Sequence, residues 1–518
     1  MLRVLGLDFG LPAIYRPDEN VAVGRAMGLL HGVLDPHFAD WPHLFFNLSA
    51  LWLAPAELLG IVHDQPSAHL WVRLLSALLG SATVLLVIDF GRRAYGWSAG
   101  LVGGAGLAVA FLAVRDSHFG TPDTALALAI TSALYIAYRT LGQAGIRTLL
   151  LNGLALGLAA GTKYNGAIAL LAAAAGQAGG PRPNRLTAGT LLRRLGVIAL
   201  VGLAVFGLSS PFLLLDPGMT AHGLGYIFSH LASDTVDQVG WIRLTIALFI
   251  GLDPALFLLS LAGVAYACWR RTAADRVILA FLLPYYAVIG TGHSVFFRYA
   301  DPMIPPLALL AGRIAAEGVR LIPRPSLRGL ALGALLAAIV VPAAIHDLRF
   351  DTLVQQPDTR SLAYEWLEQH VAPGSRVAIP YKPGPAHDQA LVERRAQSVG
   401  ATDPYVASFL ENRLETRYSV HDLSENELQQ GSVAALQADG VRYVVIGRKR
   451  PDLGCAPPTA LEQQLRRQAR LVASFSPTGS GCPSSSLFDS IDTFYVPLAG
   501  YGGVARPGPV LRIYALSD

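Results

Sequence analysis

The strongest constraint on this chain is a series of long apolar runs separated by short loops whose charge alternates in sign. Runs at 70–91, 97–114, 195–215, 244–268, 302–319 and 327–346 are each long enough to cross a bilayer as a helix, for which about 20 residues suffice. Shorter runs stand at 124–138, 148–161, 165–179 and 277–292. These would be poor solitary spans, but neighbours in a bundle can shelter them. The pattern predicts about ten spans between 70 and 346. Composition agrees, with 53% hydrophobic and 15% charged residues. A soluble protein carries about a quarter charged residues.

The loops fall into two sets. One holds Arg92 and Arg93; Arg139 and Arg147; Arg182, Arg185, Arg193 and Arg194; Arg270, Arg271 and Arg276; Arg320, Arg324 and Arg328. The other is poor in basic residues and holds Asp116, His118 and Asp123; Asp216, His222, His230, Asp234 and Asp237; His293 and Asp301. Positively charged loops stay in the cytoplasm. The segment before 70, the acidic loops and everything after 346 are therefore expected outside. The net charge of +4 follows from this topology. No basic stripe with interleaved aromatics accompanies it, which argues against a nucleic-acid partner.

The run at 42–62 is apolar as well, but counting it as a span would put Arg92 and Arg93 on the wrong side. It is read as an interfacial or re-entrant helix within an outer loop, 8–69. Residues 1–7 are apolar, too few to span, and lack the features of a signal peptide.

The expected organisation is a multi-span domain over 1–348, with its boundary near 349–351, and an extracytoplasmic α/β domain over 349–518. In the latter, 360–370 and 461–471 have helical periodicity. Residues 376–380, 441–447 and 510–515 look like strands. Pro, Gly and Ser clusters at 451–458 and 476–486 mark loops. Cys268 ends an apolar run and reads as a small hydrophobe. Cys455 and Cys482 either pair in an oxidising compartment or remain free thiols.

Four outer segments carry candidate chemistry. In Arg16-Pro17-Asp18-Glu19, Pro17 suits the first turn of a helix, and Asp18 and Glu19 then sit at its positive end. They are either a simple helix cap or functional carboxylates beside a membrane bundle, where such groups are costly. Asp116, His118 and Asp123 have the makings of a metal or acid–base site, or of a hydrated loop. Lys163, with Tyr164 and Asn165 in Gly161-Thr162-Lys163-Tyr164-Asn165-Gly166, either snorkels or faces an anion. In the loop from His293 to Tyr299, Arg298 breaks the rule that this side avoids basic residues. A phosphate is a good reason for it, because guanidinium grips phosphate with two hydrogen bonds.

Taken together and in this order, these segments resemble the GT-C superfamily of membrane glycosyltransferases. The resemblance is to the branch of protein O-mannosyltransferases and lipid A aminoarabinose transferases, including bacterial family 39-like members. It covers 5–346 and rests chiefly on the Pro-Asp-Glu of the first outer loop and the Arg-Tyr before a late Pro-rich span. The Thr-Lys-Tyr-Asn-Gly and Arg-Asp-Ser-His-Phe runs add to it. Segments 494–503 and 506–514 also look like the tail of bacterial members. The first transmembrane helix of the family, which should precede the first loop, is almost absent, so that either translation starts upstream of Met1 or the protein is impaired.

The resemblance implies a polytopic α-helical membrane protein of GT-C type with a C-terminal soluble α/β domain. It implies an inverting glycosyltransferase in the plasma (inner) membrane, acting on its outer face. The donor would be a polyprenyl-phosphate sugar, and the acceptor a hydroxyl on a protein, lipid or glycan. Asp18 maps onto the catalytic carboxylate, with Glu19 beside it. Arg298, Lys163, His293, Tyr299, Tyr164 and Asn165 are the candidate donor-phosphate site. Asp116, His118 and Asp123 would orient the acceptor or hold the loops. No cofactor is expected; a divalent metal is conceivable through the acids, but Arg can replace the ion at a monophosphate. The rival reading is a transporter or flippase of a lipid-linked glycan, although repeated halves and mid-span charges would be its signs.

Overall fold

The computed structural model describes residues 1–179, 187–232, 239–380, 384, 416–448, 457–479, 486–489, 491–492 and 494–517. Arg182, Arg185, Asp234, Asp237, Cys455 and Cys482 lie outside the described residues.

After α1 (Pro17–Leu30) and α2 (Leu44–Leu58) come α3 (Gln65–Tyr95), α4 (Trp97–Ala108), α5 (Phe111–Arg115), α6 (Pro122–Arg139), α7 (Ile146–Thr162) and α8 (Ala169–Ala178). They are followed by α9 (Ala188–Ser209), α10 (Pro211–Leu215), α11 (Pro217–Ala232), α12 (Gly240–Arg270), α13 (Ala273–Gly290), α14 (Ile304–Arg320) and α15 (Pro325–Val354). Each of the ten runs expected to span, and the run at 42–62, holds helix. Among the described residues, 5 helices are long and apolar enough to cross a membrane, or 6 if the bent pair α4–α5 counts as one span.

The chain forms two compact units. One comprises Met1–Leu7, Leu29–Gly60 and Trp71–Leu348; the other comprises Asp8–Gly28, Ile61–Leu70 and Arg349–Asp518. In the first, small residues let helices approach closely. A Cβ on Gly312 of α14 would strike the Ala99 carbonyl of α4, and one on Gly157 of α7 would strike the Gly202 carbonyl of α9.

Three runs that read as continuous are broken, at features that hydropathy does not register. The run 97–114 bends by 59° between α4 and the segment from Phe111 to His118. There the Arg3 guanidinium donates to the carbonyls of Leu107 (2.9 Å) and Ala108 (2.8 Å), the ends of α4. The run 195–215 stops at Ser210 (φ −144, ψ 58), because Pro211 follows and cannot continue a helix. The loose ends at this break pair with α2: Asn47 Nδ2 donates to Ser209 O at 2.7 Å, and Ser210 Oγ accepts from the His43 amide at 2.8 Å. In α12, Asp253 (φ 59, ψ 154) precedes Pro254 and forms a kink. His346 Nδ1 lies 2.9 Å from its Oδ1.

In the second unit, α16 (Thr359–His370) leads into a five-stranded sheet of order β2-β1-β3-β5-β4. The strands are β1 (Arg376–Pro380), β2 (Ser419–Leu423), β3 (Val441–Ile446), β4 (Arg470–Phe475) and β5 (Leu511–Ala515). β1 pairs with β2 and β3 in parallel, whereas β5 lies antiparallel to β3 and β4. Alternation divides the core between the two faces. Val377, Ile379 and Val445 pack with Ala363 and Leu367 of α16. Ala378, Val444 and Ile446 pack with Leu428, Leu436 and Leu461 from α17 (Glu425–Gln430), α18 (Val433–Ala438) and α19 (Ala460–Gln468).

The helix expected over 461–471 ends at Gln468, and the chain turns at once into β4. β4 is a half-exposed edge strand and lacks the clean alternation that would announce it. Edge strand β2, with His421 and Asp422, escaped sequence reading for the same reason.

Candidate functional site

In the first unit the site grows from the start of α6. Pro122 takes the first helical position, so Asp123 falls in the first turn, where the helix dipole favours a carboxylate. Two cations from distant parts of the sequence meet it. Lys163 Nζ lies 2.6 Å from Oδ1 and Arg298 Nε 4.0 Å from Oδ2. Lys163 is presented by extended backbone (φ −148, ψ 145) where α7 ends. Arg298 lies in a 3₁₀ turn, Phe297–Met303, that leads into α14. Side-chain exposure is 3% for Asp123, 15% for Lys163 and 10% for Arg298. Two cations on one carboxylate leave a surplus of positive charge in a place largely shielded from water, which suits an anionic ligand.

Aromatic side chains shape this cluster. The Arg298 guanidinium lies 4.1 Å from the Phe296 ring centre, and Lys163 Nζ lies 5.8 Å from that of Tyr299. Phe296 and Tyr299 meet edge to face at 5.5 Å, and His230 of α11 stacks on Phe296 at 5.5 Å. Such contacts hold the plane of a guanidinium while leaving its in-plane N–H groups to grip a phosphate. Below them, Asn165 Nδ2 donates to the Tyr285 hydroxyl at 3.0 Å, which donates to Tyr299 O at 3.1 Å. The Tyr164 hydroxyl donates to Ala39 O at 2.9 Å. His293 is exposed at the start of the same loop.

Asp116 and His118 are both buried. Arg115 Nη1 binds Asp116 Oδ1 at 2.8 Å. The two ring nitrogens of His118 face the carbonyls of Val114 (2.9 Å) and Leu5 (2.8 Å), which gives this residue a structural task in holding the N-terminal segment. Among the described residues no three His, Cys, Asp or Glu side chains converge as metal ligands.

Sequence reading passed over Tyr285, Phe296, Asp301 and Arg243 as site residues. Arg243 opens an apolar helix, donates to Val295 O and stacks on Phe297 at 4.9 Å, so it braces the loop bearing Arg298. Its only signal was an arginine at the start of a long apolar run. Asp301 is 3% exposed. Burial, then the neighbouring Asp116 and Asp123 carboxylates, push its acid well above the ordinary carboxylate range.

A folded-state value raised in this way means that the folded protein holds the proton more tightly than the unfolded chain. The resulting stability is full below about pH 3.9 and is lost as pH rises through the folded value. Asp301→Asn, which is always neutral, is therefore expected to raise the unfolding midpoint relative to wild type at pH 8 but not at pH 4. A midpoint difference that moves the other way between these two pH values would show that Asp301 is buried as an anion.

Asp18 and Glu19 belong to the second unit and occupy the first turn of α1, directly after Pro17. Asp18 is half-buried and Glu19 fully buried. Arg16, 1% exposed, caps this end: its carbonyl accepts from the Glu19 amide at 3.3 Å and its side chain is ion-paired with Asp492.

Comparison with known proteins extends this picture. Residues 66–209 match the family described as dolichyl-phosphate-mannose-protein mannosyltransferase. No curated protein sequence matches the chain. Among solved structures, the Archaeoglobus fulgidus oligosaccharyltransferase tethered with an acceptor peptide superposes with a TM-score of 0.52 at 11% identity, over 86% of this chain and 68% of that one. ArnT from Cupriavidus metallidurans in the apo state gives 0.52 at 17% identity, over 84% and 92%. AglB from A. fulgidus, in complex with an inhibitory peptide and a dolichol-phosphate, gives 0.50 at 12%, over 84% and 66%. At these identities the likeness is one of fold: apolar helices followed by a small C-terminal sheet. Residues 66–209 are thus similar to that mannosyltransferase family, and the chain as a whole shares the fold of these solved proteins.

Proposed function

We propose that the chain is an inverting glycosyltransferase that moves a sugar from a polyprenyl-phosphate donor to an acceptor hydroxyl on the outer face of the plasma (inner) membrane. The observation that carries this reading is the pairing of Lys163 and Arg298 on Asp123, with the guanidinium lying over the Phe296 ring. AglB, a protein of the same fold, is in complex with a dolichol-phosphate. The alternation of basic and acidic loops supports the sidedness and the exterior location of 349–518.

In the proposed reaction the acceptor oxygen attacks the anomeric carbon in one step. The bond from that carbon to the phosphate oxygen breaks, and its electron pair leaves with the lipid phosphate. The acceptor proton goes to the carboxylate of Asp18, because a hydroxyl is a weak nucleophile until a positioned base takes its proton. Arg298 and Lys163 stabilise the charge growing on the phosphate. Tyr299, Tyr164, Asn165 and His293 support that pair. Glu19, Asp116, His118 and Asp123 hold the loops or orient the acceptor, which is a protein, lipid or glycan.

The test supplies mannosyl and glucosyl polyprenyl phosphates, labelled in the sugar, to the purified chain with membranes as the source of acceptor. Chelator is present throughout. Label should move to a new product with release of free polyprenyl phosphate. Donor binding with no release of lipid phosphate from either sugar would overturn transfer in favour of carriage. Activity lost in chelator and restored by a divalent ion would overturn only the metal-free part.

A further inference from the structure

The sequence assigns no task to the C-terminal tail. Five contacts within the second unit tie that tail and α16 to the residues before α1. Arg16 and Asp492 form an ion pair, with side-chain exposures of 1% and 4%. The Arg16 guanidinium also lies 5.6 Å from the Phe494 ring centre, and Phe494 meets Phe9 edge to face at 5.1 Å. Arg360 of α16 stacks on Tyr15 at 3.7 Å and approaches Tyr495 at 5.2 Å. Its guanidinium is aligned by a two-pronged bond to Asp358, with 2.9 Å and 2.8 Å separations. Tyr15 is held at its far end as well, its hydroxyl 2.9 Å from Ser361 Oγ.

We infer that 349–518 is part of the catalytic apparatus: Asp492 and Arg360 are positioning residues that clamp Tyr15 and Arg16 and thereby aim the carboxylate of Asp18. The inference rests on the proposed role of Asp18 as base. Arg16 is the last residue before α1, Pro17 has a fixed φ, and Asp18 follows in the first helical turn. Little backbone freedom separates the clamped side chain from the carboxylate two positions on. A buried pair of charges also suits a positioning task, because its geometry is specified more narrowly than that of apolar packing. A cap that merely covered the fold would have no need to grip this one dipeptide with an ion pair, two cation–ring contacts and a hydroxyl bond.

The full-length protein is assayed for lipid-phosphate release at varied donor concentration, with wild type, Asp492→Asn, Arg360→Lys, Arg16→Lys, Arg16→Gln, Glu462→Gln and Asp18→Asn side by side. Glu462 is the control. It is a buried carboxylate in the same region, paired with Arg466 at 2.6 Å, Arg512 at 2.8 Å and Arg448 at 3.6 Å, and it pairs with none of Tyr15, Arg16, Arg360 and Asp492. Displacement of a catalytic group by about 1 Å can cost up to roughly 100-fold in rate. Asp492→Asn should accordingly lower the rate at saturating donor by about tenfold or more, with the half-saturating donor concentration within about twofold of wild type. Arg16→Lys should retain more activity than Arg16→Gln, and Glu462→Gln should stay within about twofold of wild type. If Asp492→Asn does not accumulate as folded protein, Arg360→Lys decides by the same readout. Equal losses in Asp492→Asn and Glu462→Gln, or a shifted half-saturation with an unchanged maximal rate, would overturn the inference. Activity that survives Asp18→Asn would instead overturn the base assignment, whatever the clamp variants do.

Discussion

Asp18→Asn should lower sugar transfer by about 100-fold or more while the protein folds normally, since a general base is typically worth that much. The substitution preserves size and hydrogen-bonding shape but removes the ability to take a proton from a hydroxyl. Asp18 is half-buried in the first turn of α1, where the contact of its charge with the helix dipole is worth about 0.3–1 kcal/mol. Pro17 still opens the helix, and Arg16 keeps its partner Asp492. The unfolding midpoint and the donor concentration for half-saturation should both stay close to wild type. Rate and stability therefore separate cleanly in this variant. If more than about a tenth of the normal rate remained, Asp18 would be a helix cap and the base would have to be sought elsewhere.

What the sequence disclosed depended on how far each signal reaches. Apolar runs and loop charge are properties of 15 to 30 neighbouring residues, so helices such as α3 and α12 were legible to within a few positions. Breaks inside these runs were not legible, because hydropathy does not register a proline such as Pro211 and the groups that answer the broken ends lie far off in the chain. Arg3 ends α4 from more than a hundred positions upstream, and Asn47 answers the carbonyl of Ser209. The site behaved in the same way. Lys163 and Arg298 stood out as charges where charge is costly, but their convergence on Asp123 joins three segments that only the fold assembles. Tyr285 and Phe296 went unnoticed because a hydroxyl or a ring among apolar neighbours looks like ordinary core. Asp301 read as one more outer-loop acid, and only its burial beside Asp116 and Asp123 sets it apart.

Arg298→Ala should raise the donor concentration for half-saturation by about 10-fold to 100-fold and also lower the maximal rate. A hydrogen-bonded contact to a charged group contributes about 1.5–3 kcal/mol, and a bidentate guanidinium–phosphate grip lies toward the upper end. Part of that energy is already present when the donor binds. The rest appears only as the departing phosphate gains charge, which is why both parameters should move. Asp123 keeps Lys163 at 2.6 Å, the closer of its two cations. The variant also gives up the contact with Phe296, worth about 0.5–2 kcal/mol, and the unfolding midpoint should drop only slightly. Arg298→Lys should fall between wild type and Ala, because it retains charge but neither the planar fork nor the stacking surface. A lowered midpoint with unchanged donor saturation and rate in Arg298→Ala would mean that the arginine serves only to brace its loop. The donor phosphate would then have to be bound elsewhere, and the transferase mechanism proposed here would lose its principal cation.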